Sequence, residues 1–409
     1  MYIAASRTSD LASGTDRKPA LKRVSANVVA LGMVSLVTDV SSEMVTAVLP
    51  LYLVLGLGLN PLQFGLLDGL YAGATAVVRV LGGHLADRWR RLKAVAGFGY
   101  GLSAVCKLGL VAAGSSVAAI SLVLAADRTG KGLRTGPRDA LISLSSEPAT
   151  LGRSFGVHRA MDTVGAFLGP LVAMAVLALS LGSYDSVFVT SFCIAAIAVL
   201  LLALFVRDRP GNVDRAAVSA RAALGLLKQQ DFRRLTLWAA LLGLVTVGDS
   251  FVYLVLQRRW EIAATYFPLL PLGTAGVYLL LAVPLGKLAD RVGRWPVFLG
   301  GHVALCLALV LLCGPVYAVL PVVALALHGV FYAATDGVLM AAAGPIVPAG
   351  LRATGLAVVQ TGQAVARMLS SVLFGLAWTL WDLQPAVLVA AACLAVVALA
   401  AAFAKPVRP

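Results

Sequence analysis

Six charged residues crowd into the stretch DRTGKGLRTGPRDALI, residues 127–142: Asp127, Arg128, Lys131, Arg134, Arg138 and Asp139. On a helix at about 100° per residue, Asp127, Lys131, Arg134 and Arg138 fall within roughly a 60° arc, with Arg128 and Asp139 beside it. A row of guanidinium and ammonium groups holds carboxylate or phosphate through charge-assisted hydrogen bonds. The flanking residues are apolar enough for a membrane, where each charge at mid-depth costs at least ~2.5 kcal/mol. Asp127, Arg128 and Lys131 therefore need a water-filled cavity or charged partners. Arg134 and Arg138, nearer the end of the run, fit the same track or snorkel to the interface. Gly130, Gly132, Gly136 and Pro137 are expected to thin and break this helix, as at a close backbone approach or a flexible gate.

Other ionisable residues fall at comparable depth. Ser35, Asp39, Ser42 and Thr46 form one stripe, with Glu43 beside it. Asp39 and Glu43, one turn apart, read as a structural acid pair, as counter-charges to Arg128 or Lys131, or as protonatable carboxylates. In GRSFGVHRAMDTVGAFLGP (152–170), His158, Asp162, Gly165 and Gly169 share a face, with Arg159 close by and Pro170 next in sequence. A lone histidine there reads as a hydrogen-bonding residue or as a group titrating near neutral pH. Further along, Asp249 falls inside an apolar run, Asp336 near the end of another, and Gln360, Gln363 and Arg367 on one stripe. Arg79 and Lys107 are available as partners for the acids.

The elements that must position these groups follow from composition. Of 409 residues, 60% are hydrophobic and 13% charged, and mean hydropathy is +0.90. Soluble domains average about 45–50% apolar and about 25% charged, so this chain is read as a polytopic membrane protein. With about 20 apolar residues per span, twelve runs emerge as six plus six. The division is a polar tail over 1–25, a first six-run half over 26–206, a basic linker over 207–234, a second half over 235–404, and a short tail over 405–409. The expected fold class is an all-α membrane protein, two pseudo-symmetric bundles of six transmembrane helices.

The net charge of +14 does not point to nucleic acid, because the basic residues gather in short connections as the positive-inside rule expects of cytoplasmic loops. Both termini are then cytoplasmic, and the localisation expected is a prokaryotic inner (plasma) membrane. The five cysteines, Cys106, Cys193, Cys306, Cys313 and Cys393, lie in or beside apolar runs and suit packing rather than disulfides. The first 25 residues lack an apolar core with a small-residue cleavage site and read as a tail, not a signal peptide.

The halves repeat. GHLADRWRRL (83–92) lies between runs two and three, and GKLADRVGRW (286–295) between runs eight and nine; PATLGRSFG (148–156) echoes in PAGLRATG (348–355). Repeated halves mark transporters whose sites lie at the repeat interface. Both loop segments resemble the loop motif of the major facilitator superfamily, G-x-L-a-D-R-x-G-R-[RK], and the resemblance runs from about residue 26 to 404. Arg90 stands where the motif has glycine. The resemblance implies the major facilitator fold, with helices one, four, seven and ten lining a central cavity. It implies a conformational role for Gly83, Asp87, Arg88, Arg91, Gly286, Asp290, Arg291 and Arg294, as ties between the halves; the arginines also serve as topology signals. GAFLGP, with Gly165, Gly169 and Pro170, resembles the fifth-helix motif of the superfamily's antiporters, although small-xxx-small spacing also simply packs helices. SLVTDVSSEM (35–44) and residues 127–142 are similar to a prokaryotic branch of efflux proteins, with motif positions at Asp39, Glu43, Arg128, Lys131, Arg134, Arg138, Arg159 and Asp162.

These readings lead to a secondary active transporter working by alternating access, with proton-coupled efflux of a small, anionic or polar molecule. Asp39, Glu43, Asp127, Arg128, Lys131, Arg134, Arg138, Arg159, Asp162, Asp249 and Arg367 are the candidates for substrate binding or coupling. If the acids neutralise the basic row, a multidrug or cation exporter fits equally. An uptake permease of the same fold fits too, and a non-transporting receptor fits least well. The expected partners are a small-molecule substrate, protons and the lipid bilayer, with the protein acting as a monomer. No cofactor or metal is expected, and H-E-x-x-H and G-x-S-x-G are missing, so no enzymatic activity is expected.

Overall fold

The computed structural model describes residues 24–71, 73, 92–147, 151–208, 225–347 and 351–404. The described residues form twelve helical spans and no strand. The first half holds α1 (Ala26–Leu51, continued by a π-helical turn Tyr52–Gly56), α2 (61–71), α3 (Leu92–Ala113), α4 (Val117–Leu144), α5 (Leu151–Leu179) and α6 (Tyr184–Phe205). The second holds α7 in two pieces (Gln230–Leu244 and Asp249–Trp260), α8 (Leu269–Val292), α9 (Arg294–Cys313), α10 (Leu320–Ala343), α11 (Arg352–Trp381) and α12 (Leu383–Ala404).

Local sequence explains several boundaries. Ser25, Ser116 and Ser183 cap α1, α4 and α6, each hydroxyl accepting the amide of the residue three positions on. Gly293, at φ +102°, closes α8 and opens α9; a side chain would strain that turn. Ten helices among the described residues are long and apolar enough to cross a membrane. The charged α4 is not one of them, since Asp127, Arg128, Lys131 and Arg134 occupy its middle. It is held by packing, not by its own hydropathy.

The two bundles repeat their pairings. α1 packs on α5, α3 on α4 and α3 on α6; the equivalent pairs α7–α11, α9–α10 and α9–α12 recur in the second half. The sequence echoes thus correspond to one helical arrangement used twice. Connections α1–α2, α3–α4, α5–α6, α7–α8, α9–α10 and α11–α12 lie at one face, here the upper; the opposite ends of the helices, with the α8–α9 turn at Gly293, lie at the lower.

α4 runs unbroken from Val117 to Leu144 with Pro137 inside it, which corrects the expected break. Its glycines serve close packing: a Cβ on Gly130 would sit 2.7 Å from Gly99 O on α3, and one on Gly99 would sit 2.7 Å from Gly130 O. On α5, Gly165 and Gly169 do the same against α1. A Cβ at Gly169 would lie 2.6 Å from Glu43 Cβ and 2.9 Å from Val40 O, and one at Gly165 would strike Leu36 O.

The bundles meet over their upper halves. Leu62 N–H donates to Thr379 Oγ1 (3.1 Å) and Ser371 Oγ donates to Asp68 Oδ2 (2.6 Å), both joining α2 to α11. Phe64, Phe251, Phe374 and Trp378 form one aromatic cluster across the same seam, with centroids 4.8–6.1 Å apart.

Candidate functional site

The charged residues of α4 sort into three groups along the helix. Uppermost, Asp127 receives Ser103 Oγ (2.5 Å) and Lys107 Nζ (3.0 Å) from α3, and Arg128 Nη2 (2.6 Å) from its own neighbour. Lys107 Nζ also donates to Ser103 O (2.7 Å), and the Arg128 guanidinium lies 3.9 Å over the Tyr71 ring. A cavity of about 10 Å³ borders this group, too small for a ligand. Lys107, left by the sequence as a possible partner for an acid, is the clamp on Asp127.

About two turns below Asp127, Arg134 Nη2 stands 3.8 Å from Asp39 Oδ1 on α1, with its guanidinium 4.7 Å from the Tyr100 ring centroid. Asp39 also lies in the field of Lys131, Asp162 and Glu43. Lys131 lies in the electrostatic field of Arg128, Glu43 and Asp39. Lowest, Arg138 bonds Asp139 Oδ1 (Nε, 3.1 Å) and donates through Nη1 to Ser35 Oγ (3.2 Å). Ser35 Oγ is in turn 3.0 Å from His158 Nε2 on α5, which is 3.9 Å from Asp162. Arg159 is also 3.9 Å from Asp162, but 72% of its side chain is exposed.

Lys107 and Arg128 thus share Asp127, Arg134 stands near Asp39, Arg138 pairs with Asp139, and Lys131 lies in the field of Glu43 and Asp39. The basic row is largely compensated from within. Exposure differs within the pairs. The side chains of Arg134 and Arg138 are 3% and 10% exposed, while those of Asp39, Asp162 and Asp139 are 20%, 16% and 34% exposed. In the Arg134–Asp39 and Arg138–Asp139 pairs the acid is the more exposed member; in Arg159–Asp162 the order is reversed. Three buried polar atoms are left without a hydrogen-bond partner here, Tyr100 Oη, Arg134 Nη1 and Asp162 Oδ1.

A second cluster sits at the break in α7. Asp249, first residue of the second piece, accepts a hydrogen bond from Tyr332 Oη on α10 and lies 3.5 Å from His328 Nε2. His328 Nδ1 is 3.3 Å from Thr274 Oγ1 on α8. Arg367 on α11 lies 5.9 Å over the Tyr332 ring. The Asp249 side chain is nearly half exposed while His328 is fully buried. Again a carboxylate faces open space from a buried partner.

Gly83, Asp87, Arg88 and Arg91, with Arg79, lie outside the described residues. In the second copy of the loop, Arg294 pairs with Asp290 (3.6 Å) and donates to Ala341 O (2.7 Å), so it ties α9 to α8 and α10 within its own bundle. Arg291 is exposed, and a Cβ at Gly286 would meet nothing within 4 Å. Sequence reasoning missed Asp68, Tyr332 and His328. Asp68 carried a readable signal, an acid on the helix whose Gly65, Gly69 and Gly73 repeat at four-residue spacing. Tyr332 and His328 carried none, because an aromatic and a histidine in an apolar run are ordinary packing residues.

Known proteins share this architecture. An uncharacterized MFS-type transporter of Methanocaldococcus jannaschii is 27% identical over 365 residues, covering 87% of this chain and 89% of that one. The nucleoside transporter NupG superposes with a TM-score of 0.79 at 18% identity, over 92% of this chain and 98% of that chain. A POT family transporter in complex with 5-aminolevulinic acid superposes with a TM-score of 0.77 at 12% identity, over 93% and 96%. At such identities these two structures share the fold alone. The family model of the Major Facilitator Superfamily matches residues 31–277 and 251–409, and with two repeated six-helix bundles meeting around paired intramembrane charges, the chain belongs to that superfamily and is a membrane transporter, not an enzyme.

Proposed function

We propose that the protein exports a small molecule from a prokaryotic cell in exchange for protons, as a monomer in the plasma membrane. The lower face, with Lys93, Arg153, Lys287, Arg291 and Arg294, is then cytoplasmic. Asp336 and Gln360, on the lower halves of α10 and α11, are exposed. Polar groups at that depth avoid lipid and line water, so the lower face is the open one and the upper seam is closed.

The observation that carries the reading is the order of exposure in two clusters: the carboxylates of Asp39 and Asp249 are more exposed than the basic side chains beside them, Arg134 and His328. A carboxylate facing a cavity holds either a proton or a cationic or hydrogen-bond-donating group of a substrate, and the two compete. Exchange requires that competition. A free basic row would instead take up anions together with the protons that neutralise the acids, which is co-transport. The internal compensation of α4 therefore shifts the preferred substrate from an anion to a molecule with a cationic or donor group. A second reading, an anionic substrate, is supported by the unpartnered Arg134 Nη1 and the exposed Arg159.

The test is transport in proteoliposomes under an imposed pH gradient, with ethidium as cation and benzoate as anion. Asp39→Asn and Asp162→Asn should abolish gradient-driven accumulation of the cation while leaving its downhill exchange. Undiminished accumulation in both variants would remove these acids as the coupling site. Accumulation of benzoate alone, lost in Arg134→Ala, would establish the second reading.

A further inference from the structure

Asp68 lies on α2 in the seam that closes the upper face, a member of neither cluster above. Its carboxylate accepts Ser371 Oγ from α11 (2.6 Å), and Ser250 of α7 borders the same small cavity as Asp68. Among the described residues no lysine or arginine pairs with it. α2 and α11 approach closely enough that a Cβ on Gly69 would lie 2.7 Å from Met368 O, and one on Gly375 or Gly65 would strike backbone oxygens of the facing helix. Above Asp68, Phe64 and Phe251 meet edge to face at 4.9 Å and separate it from a vestibule of about 450 Å³ on the upper face. Beneath them, a cavity of about 30 Å³ bounded by Thr46, Asp68, Tyr71 and Ser250 has room for about one water.

The seam therefore contains a carboxylate whose partner comes from the other bundle. Its hydrogen bond exists only while the upper face is closed. Ser250 is also the neighbour of Asp249, and the two consecutive residues at the break in α7 serve opposite directions. Asp249 reaches into the second bundle, to Tyr332 and His328; Ser250 borders the cavity it shares with Asp68 across the seam. The break itself fits against this contact, since a Cβ on Gly248 would lie 3.2 Å from both Asp68 Oδ2 and Ser371 Oγ. Anything that moves Asp249 moves the start of the second α7 piece, and with it Ser250.

We infer that Asp68, Ser250 and Ser371 form the latch of the upper gate, and that the α7 break connects the latch to the Asp249 cluster, so that a substrate engaging Asp249 acts on the gate. Asp68 is a positioning residue: it touches no substrate and sets which face is open. The latch goes beyond the exchange reading; only the statement that it closes the outer side rests on that reading.

The experiment uses the full-length protein in nanodiscs, cysteine-free apart from spin labels at Leu181 and Tyr317, exposed positions on the upper loops of the two bundles. Distances are measured without substrate or proton gradient, so failure of Asp39 and Asp162 as coupling residues leaves the result unaffected. Asp68→Ala and Ser371→Ala should each raise the open-to-closed ratio about tenfold or more, the effect of leaving a buried partner without its hydrogen bond. Asp68→Asn, which keeps an acceptor for Ser371, should stay within about threefold of wild type, and Gly248→Ala should open the gate by crowding the latch. Asp249→Asn should open it too, and add nothing once Asp68 is alanine. Distances unchanged in folded Asp68→Ala and Ser371→Ala would overturn the latch. Independent, additive effects of Asp68→Ala and Asp249→Asn would overturn its connection to the Asp249 cluster.

Discussion

Replacing Asp127 by alanine tests whether the uppermost charges of α4 bind substrate or hold the bundle together. The Asp127 carboxylate is the shared acceptor for Ser103, Lys107 and Arg128, whose hydrogen bonds run from 2.5 to 3.2 Å. Lys107 and Arg128 are 4% and 7% exposed at their side chains. Without Asp127 two cations are left in the interior, compensated by the Tyr71 ring over Arg128 and by the hydrogen bonds of Lys107 to Ser103. Removing one partner of a buried ion pair costs about 3–5 kcal/mol, and the second stranded cation puts Asp127→Ala at the upper end of that range. Lys107→Met should cost less, because Asp127 keeps Arg128. In the double variant the residual coupling should be about 1–3 kcal/mol in favour of the pair. Reversible unfolding in mixed micelles, followed by tryptophan fluorescence, measures all three differences. An Asp127→Ala protein within about 0.5 kcal/mol of wild type, the range of ordinary surface substitutions, would refute the structural assignment. If that variant also lost transport, Asp127 would return to the substrate site.

Two further substitutions probe the helix contacts and the exposed basic residue. Gly169→Ala places a methyl 2.6 Å from Glu43 Cβ and 2.9 Å from Val40 O, so α1 and α5 must separate; overpacking of this kind costs about 1–3 kcal/mol, visible as a lower unfolding midpoint. Arg159→Ala should leave that midpoint within about 0.5 kcal/mol, because its side chain is mostly exposed and its carboxylate partner is 3.9 Å away. A fall beyond about 1 kcal/mol would show that Arg159 packs in a way its exposure does not suggest.

Much of this protein was legible in one dimension. Twelve apolar runs, the doubled loop motif and the basic lower connections follow from the cost of placing polar groups in lipid, which constrains composition residue by residue. The depth of Asp127, Arg128 and Lys131 was readable for the same reason, since helical rise converts sequence position to depth. The need for partners followed from that depth.

Which partners meet was decided only by tertiary structure. Asp39 is 95 positions from Arg134 and His158 is 123 from Ser35, and nothing local in sequence records a contact made by packing separate helices. Periodicity put the bases on one face of α4 and could not say that acids from α1, α5 and α4 itself would stand against them, so a row read as a binding track became a largely compensated, mostly buried layer. The glycines of α4, read as a break, turned out to admit α3, because a missing Cβ allows either outcome and only the neighbour chooses. The break fell instead in α7, where Asp249 and Ser250 look like any two polar residues in a span. Sequence alone determined that this chain crosses a membrane twelve times and belongs with transporters, because hydropathy and local motifs act along the chain. The sign of the surface offered to a ligand, and the seam holding Asp68 between α7 and α11, came from the fold, because electrostatics and hydrogen bonds act through space.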